Sequence, residues 1–275
     1  LSGLIEQYRS CCAQLASASM CVTTTESRSV RGGPEAISVV TSESVRANDL
    51  AFCAQRGWRA AITPDIPSDA PPTETSTHWL SNGRLNSLRE VGGKSGAVER
   101  TLRVAAALSD PVVGAWRGNI LSGYLPGDGR RIDFVLEDAR ARLRHAPESV
   151  DGFECFVVDA LANDWSYSVW FAPSRGGAIL KVVRTREGES LARAHQQLQE
   201  ASKSERLEQP IRITQVLDAI RVENIEGKWI PVAGKLTETI EYAHGPPTML
   251  WQSVERTKVD LNPSANSVPA PPVVP

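Results

Sequence analysis

The stretch from Phe153 to Phe171 constrains the fold of this chain more than any other. F-E-C-F-V-V-D-A runs into a turn at Asn163-Asp164 and leaves through W-S-Y-S-V-W-F, whose odd positions Trp165, Tyr167, Val169 and Phe171 share one face. Side chains alternate across a strand, so this reads as an antiparallel pair with an apolar side that must be covered. Just upstream, Ile132, Val135, Leu136, Ala139 and Leu143 recur every three to four residues. They follow the turn Pro126-Gly127-Asp128-Gly129 and end before Pro147, which predicts an amphipathic helix with Asp133, Glu137, Arg140 and Arg144 on its polar face. A sheet face and a helix stripe of this kind enclose either a packed core or an apolar cavity, and the same residues serve both.

The rest of the chain carries mostly strand signals. Leu4 to about Leu15 has helical spacing (Leu4, Ile5, Tyr8, Cys11, Leu15), and alternating segments follow on either side of Gly32-Gly33-Pro34 and Ala47-Asn48-Asp49. Loops this short join antiparallel neighbours. Thr63 to Thr77 reads as a loop, Asn82-Gly83 as a two-residue hairpin turn, Gly92 to Gly96 as a break, and Arg103 to Leu108 as a short helix. After Phe171 come A-I-L-K-V-V-R-T and a polar, helix-favouring insertion at 187–209. Two last strand-like segments, I-R-V-E-N-I-E-G-K-W-I-P-V and L-T-E-T-I-E-Y, close the folded part. The expected organisation is a single domain over 1–260, with 261–275, uncharged and holding five prolines, as a disordered tail.

Function is constrained mainly by exclusion. Thirty Lys+Arg against 32 Asp+Glu give a formal charge of −2, so no basic field exists to hold nucleic acid. The longest uncharged stretches fall short of the roughly 20 apolar residues of a membrane-spanning helix. Gly92-Gly93-Lys94-Ser95 resembles the end of a phosphate loop, but Leu88 stands where that loop needs glycine. No nucleophile elbow, zinc-helix or dinucleotide motif is present, so no catalytic residue, metal ligand or cofactor site is assigned. Five cysteines lack a C-x-x-C pair. Cys11, Cys12, Cys21 and Cys53 are either buried thiols or, in an oxidising compartment, partners in one or two bridges, while Cys155 reads as structural. Seven tryptophans exceed the five phenylalanines and four tyrosines. Strand tryptophans fill cores more often than they line pockets, and either role is open here.

The second half resembles the outer-membrane lipoprotein-sorting family, the LolA-like fold, in the form found in planctomycete-type envelope proteins. The resemblance rests on the order of I-D-F-V-L-E-D-A-R-A-R-L (Ile132 to Leu143), E-S-V-D-G-F-E-C-F-V-V (Glu148 to Val158), S-V-W-F-A-P-S-R-G-G-A-I-L-K-V-V (Ser168 to Val183), G-K-W-I-P (Gly227 to Pro231) and T-K-V-D-L-N-P (Thr257 to Pro263). It implies an α+β fold: one curved antiparallel sheet, an open and incomplete β-barrel, wrapped around two or three amphipathic helices. It further implies a non-enzymatic carrier or sensor in the periplasm or cell envelope, with a lipid or lipoprotein acyl chain between sheet and helices and an envelope protein as a possible partner. The alternative is an interaction or scaffold module with a closed core. The expected cavity residues are Ile132, Val135, Leu136 and Leu143 from the helix, Trp165, Tyr167, Val169 and Phe171 from the strand pair, and Trp229. The chain opens at Leu1, so the expectation is a processed or trimmed N-terminus, with any signal peptide lying upstream.

Overall fold

The computed structural model of the chain describes residues 1–13, 18–29, 36–47, 50–61, 74–81, 84–92, 98–105, 119–126, 131–202 and 208–264. A first helix, α1 (Ser2–Ala13), leads into the meander β1 (Ala18–Ser29), β2 (Ala36–Ala47), β3 (Leu50–Ala61), β4 (Glu74–Ser81), β5 (Arg84–Gly92) and β6 (Val98–Ala105). A 3-10 turn at Asn119–Ser122 and helix α2 (Ile132–Asp138) precede the short strands β7 (Arg142–Leu143) and β8 (Glu148–Val150). The second half consists of β9 (Phe153–Ala162), β10 (Trp165–Ala172), β11 (Ala178–Glu187), helix α3 (Glu189–Ser202), β12 (Pro210–Ile225), β13 (Lys228–Tyr242) and β14 (Thr248–Asp260).

The strands form one antiparallel sheet in the order β6-β5-β4-β3-β2-β1-β14-β13-β12-β11-β10-β9-β7, with β8 attached to β9. Its ends, β6 and β7, do not pair with each other, so the barrel is incomplete. The two halves are each built from near neighbours in sequence and meet where β1 pairs β14, from Ser19 opposite Asp260 to Ser29 opposite Met249. Helix α1 packs on β11 and β13, α2 on β9, and the 3-10 turn on β13. This is the expected α+β arrangement, an open antiparallel sheet with helices laid against it.

Close approach of the layers depends on two glycines. A Cβ at Gly177 (φ +75°), in the turn before β11, would lie 2.6 Å from Gln7 Cβ and 3.0 Å from the α1 backbone. At Gly234 in β13 it would lie 2.7 Å from Leu121 Cδ2, where the 3-10 turn seats on the strand. Without these gaps in the side-chain layer, α1 and the turn would be lifted off the sheet.

The structure departs from the sequence reading in several places. The helix expected over Ile132–Leu143 stops at Asp138, because Ala139 turns extended (φ −84°, ψ 160°) and Arg142 and Leu143 pair with Asp159 and Val158 of β9. Leu143 is consequently 43% exposed and does not join the helix stripe. Arg103–Ala105, expected as helix, continues β6 against β5, since V-E-R-T-L-R-V alternates at period two. I-R-V-E-N-I-E-G-K-W-I-P-V is two strands, with Glu226 and Gly227 at positive φ forming the hairpin turn between them. The first part of β12 and most of β14 had no counterpart in that reading, because charged residues interrupt their alternation. Leu261, assigned to the tail, is 3% exposed and belongs to the core. Glu74–Thr77, expected as the end of a loop, begin β4 against β3. The expected breaks at 32–34, 48–49, 82–83 and 93–96, residues 63–73 of that loop, residues 106–108 of the expected helix, the 127–129 turn, Leu15, residues 203–207 and the tail beyond Ser264 lie outside the described residues. Cys11, Cys12, Cys21 and Cys155 are free thiols, and the Cys53 side chain is not among those described.

Burial of Leu261 gives a direct test. Leu261→Ala should lower stability by about 2–3 kcal/mol in urea denaturation, as expected for deleting a buried leucine side chain; a change under 0.5 kcal/mol would return Leu261 to the tail.

Candidate functional site

The inner face of the second half is organised in rows that run across the strands. Val169, Val182, Leu217 and Leu236 stand opposite one another in register on β10, β11, β12 and β13 and are all buried. Two residues further along, the same registers align Tyr167, Arg184, Gln215 and Glu238. These are hydrogen-bonded in that order: Arg184 Nη1 donates to the Tyr167 hydroxyl at 3.3 Å, Arg184 Nε to Gln215 Oε1 at 2.8 Å, and Gln215 Nε2 to Glu238. The guanidinium also lies 4.2 Å from the Trp165 ring centroid. An aliphatic floor is thus bounded on one side by a polar row. Both follow from strand register and the two-residue side-chain period.

A separate layer covers this floor. It comprises α1, the segment Asn119–Pro126 and α2, and its parts are tied together. The Tyr8 hydroxyl donates to Ser122 O at 2.9 Å, and Ile132 N to Gly123 O at 2.8 Å. Tyr8 also meets Phe171 edge to face, centroids 6.1 Å apart. The strongest tie is Asp133, fully buried, which accepts from Arg131 Nε at 2.5 Å and Nη2 at 2.9 Å and from Arg9 Nε at 2.9 Å. Burial pushes the Asp133 carboxyl up, but the bonds from Arg131 and Arg9 outweigh it and hold the group below the ordinary aspartate range. Arg9 reaches Glu137 as well, at 2.5 Å, and both guanidiniums lie over the ring of Phe134, at 5.2 Å for Arg9 and 5.4 Å for Arg131.

Two buried arginines join this layer to the sheet. Arg184 donates to Pro126 O, while Arg256 of β14 donates to Ser122 Oγ at 2.6 Å and to Pro231 O at 2.9 Å. Cys11 Sγ lies 3.1 Å from Trp229 O, and burial pushes its thiol up to about 12, so it stays protonated and a poor nucleophile at neutral pH.

Between the layers lies a cavity lined by Tyr8, Leu121, Leu125, Ile132, Val182 and Leu217, among others. The cavity measures about 10 Å³ and has room for about one water. Of the residues expected at the site, Ile132 lines this space, and Val135, Leu136, Tyr167, Val169 and Phe171 are buried in the surrounding core. Trp165 is half-buried above Arg184, Trp229 is half-buried against Arg175, and Leu143 is at the surface. Sequence reasoning missed Ile120, Leu121 and Leu125, which lie in an irregular segment without periodicity, and Arg256, whose charge argued for exposure.

Among the described residues no group of His, Cys, Asp and Glu is placed to hold a metal, and no helix is long and apolar enough to cross a membrane. No protein-family model and no curated protein matches the chain. Among solved structures it is similar to a DUF1329 family protein from Desulfovibrio piger (12% identity over 94% of this chain and 92% of that one, TM-score 0.44). It is also similar to a putative outer membrane lipoprotein-sorting protein domain from Vibrio parahaemolyticus (12% identity, 93% and 91%, TM-score 0.41). A third likeness is to a LolA superfamily protein from Nitrosomonas europaea (13% identity, 97% and 96%, TM-score 0.39).

The Asp133 clamp should respond to acid. Its pKa is lower in the folded than in the unfolded chain, so its contribution is present above the unfolded value and is lost as pH falls through the folded one, below about pH 4. Amide protection factors in α1, relative to intrinsic exchange at each pH, should fall over that range. In Asp133→Asn they should be low already at pH 7, with a loss of about 1–3 kcal/mol in global stability.

Proposed function

We propose that this chain is a non-enzymatic carrier or sensor of the bacterial envelope that holds the acyl chain of a lipid or lipoprotein between its sheet and its helical layer. One observation carries the reading. The aliphatic row Val169-Val182-Leu217-Leu236 spans four strands, whereas the described residues of the layer above it contribute no strand to the ladder and are attached by apolar packing and by side-chain bonds such as those from Arg184 and Arg256. The α1 part of the layer can therefore move off the floor without breaking sheet hydrogen bonds. An exposed floor of that kind binds hydrocarbon by the hydrophobic effect. The exported location belongs to the same proposal and comes from the family resemblance.

A second reading has its own support. Room for about one water means that the layers are packed shut in this structure, as they would be in an interaction module with a filled core. The two readings diverge when the clamp is weakened. A carrier should take up a fluorescent long-chain fatty acid, and Asp133→Asn should speed uptake several-fold, because opening precedes binding. A closed module should bind no probe in either form and show only the stability loss. Val169→Trp, at a position with no exposure, should cost about 1–3 kcal/mol on either reading, and in a carrier it should also lower probe affinity.

A further inference from the structure

Arg175 lies in the 3-10 turn Pro173–Arg175 between β10 and β11, and its guanidinium sits between two rings, 4.2 Å from the centroid of Phe153 and 4.0 Å from that of Trp229. Arg9, Arg131, Arg144, Arg186, Arg212 and Arg221 each reach a carboxylate. Arg175 reaches none, and it has no hydrogen-bond partner among the described residues. Stacking fixes the plane of the guanidinium and leaves its fork of N–H donors at the edge, so much of the side-chain entropy is lost before any ligand arrives. Such a fork matches a carboxylate or a phosphate.

The position adds meaning to the chemistry. Pro231, two residues beyond Trp229, and Ile179, two beyond Gly177, both line the cavity. Helix α1 crosses this same end of the layer, with Gln7 against Gly177 and Cys11 against Trp229 O. We propose that Arg175, clamped between Phe153 and Trp229, is an oxyanion-binding site, and that it holds the carboxylate or phosphate group of an amphiphile whose chain occupies the sheet–helix layer. The second clause rests on the carrier reading; the anion site itself does not.

Titration calorimetry of the full chain with dodecyl phosphate and with dodecanol tests the amphiphile. Wild type should bind the phosphate about tenfold more tightly or better, as charge-assisted bonds warrant. Arg175→Gln should erase that gap without weakening dodecanol binding, and Arg175→Lys should restore part of it. Equal affinities in wild type, or a gap that survives in Arg175→Gln, overturn the anion site while leaving the carrier intact. If neither amphiphile binds, the carrier reading falls, and inorganic phosphate decides the rest through the Arg175 Nε–Hε resonance of wild type. A saturable shift supports a site for free phosphate and no shift overturns it, whether or not the glutamine variant folds.

Discussion

The pairing of β1 with β14 is the constraint on which the rest of the structure depends. Each half of the sheet is a succession of near-sequence neighbours and could form locally, but the halves become one sheet only when strands more than 200 positions apart align from Ser19–Asp260 to Ser29–Met249. That closure fixes where Arg256 of β14 stands, and through Arg256 where Ser122 and Pro231 are held. Contacts at this separation are late and slow to form, because loop closure is unfavourable until the ladder compensates for it. The layer over β9–β14 is accordingly held in part by a residue that this long-range pairing positions.

The two buried arginines answer a problem that an apolar interface would leave unsolved. Asn119–Pro126 is mostly irregular, so its carbonyls and hydroxyls have few ladder partners once it lies against the sheet. A guanidinium supplies five donors from one side chain. Arg184 and Arg256 use theirs on Pro126, on Ser122 and on Pro231, the last at a strand position that has no N–H of its own. Burying a cation is unfavourable unless its donors are met. Gln215 Oε1, the Tyr167 hydroxyl and Pro126 O meet those of Arg184, and Glu238 in turn accepts from Gln215. A leucine at either position would leave those backbone groups unsatisfied.

What was legible in the sequence was the part dictated by period. Tyr167, Val169 and Phe171 of the strand alternation, Ile5, Tyr8 and Cys11 of the α1 stripe and the Ile132-Val135-Leu136 stripe all lie on faces that the structure buries, and the antiparallel architecture agrees with them. The errors share a cause. Leu143 fits a helical stripe as well as a short strand, and only the open edge of β9, invisible in sequence, decides between them. The hairpin at Glu226-Gly227 is masked in the sequence because valine and isoleucine flank it on both sides. Leu121, Leu125 and Arg256 obey no period at all: what buries them is long-range closure of the sheet.

Opening the layer by any route must exchange one set of apolar contacts for another. Burying a large apolar side chain contributes about 1.5–3 kcal/mol, against about 5–15 kcal/mol for the stability of a whole domain. Freeing α1, α2 and the 119–126 segment together would expose Ile5, Tyr8, Ile120, Leu121, Leu125, Ile132, Val135 and Leu136, each 5% exposed or less, and would consume that margin entirely. Of the fully buried residues, freeing α1 alone exposes Ile5, Tyr8 and Cys11, at about 4.5–9 kcal/mol on the same scale. An acyl chain gains about 0.8 kcal/mol per buried CH₂, so a dozen of them offset the loss of α1 but not the loss of the whole layer. The polar bonds that hold α1 to the rest are few: Tyr8 to Ser122, Arg9 to Asp133 and Glu137, and Cys11 to Trp229 O. If the chain carries a lipid, α1 is the element that swings, and α2 and the 119–126 segment stay on the sheet as the wall against which the hydrocarbon lies.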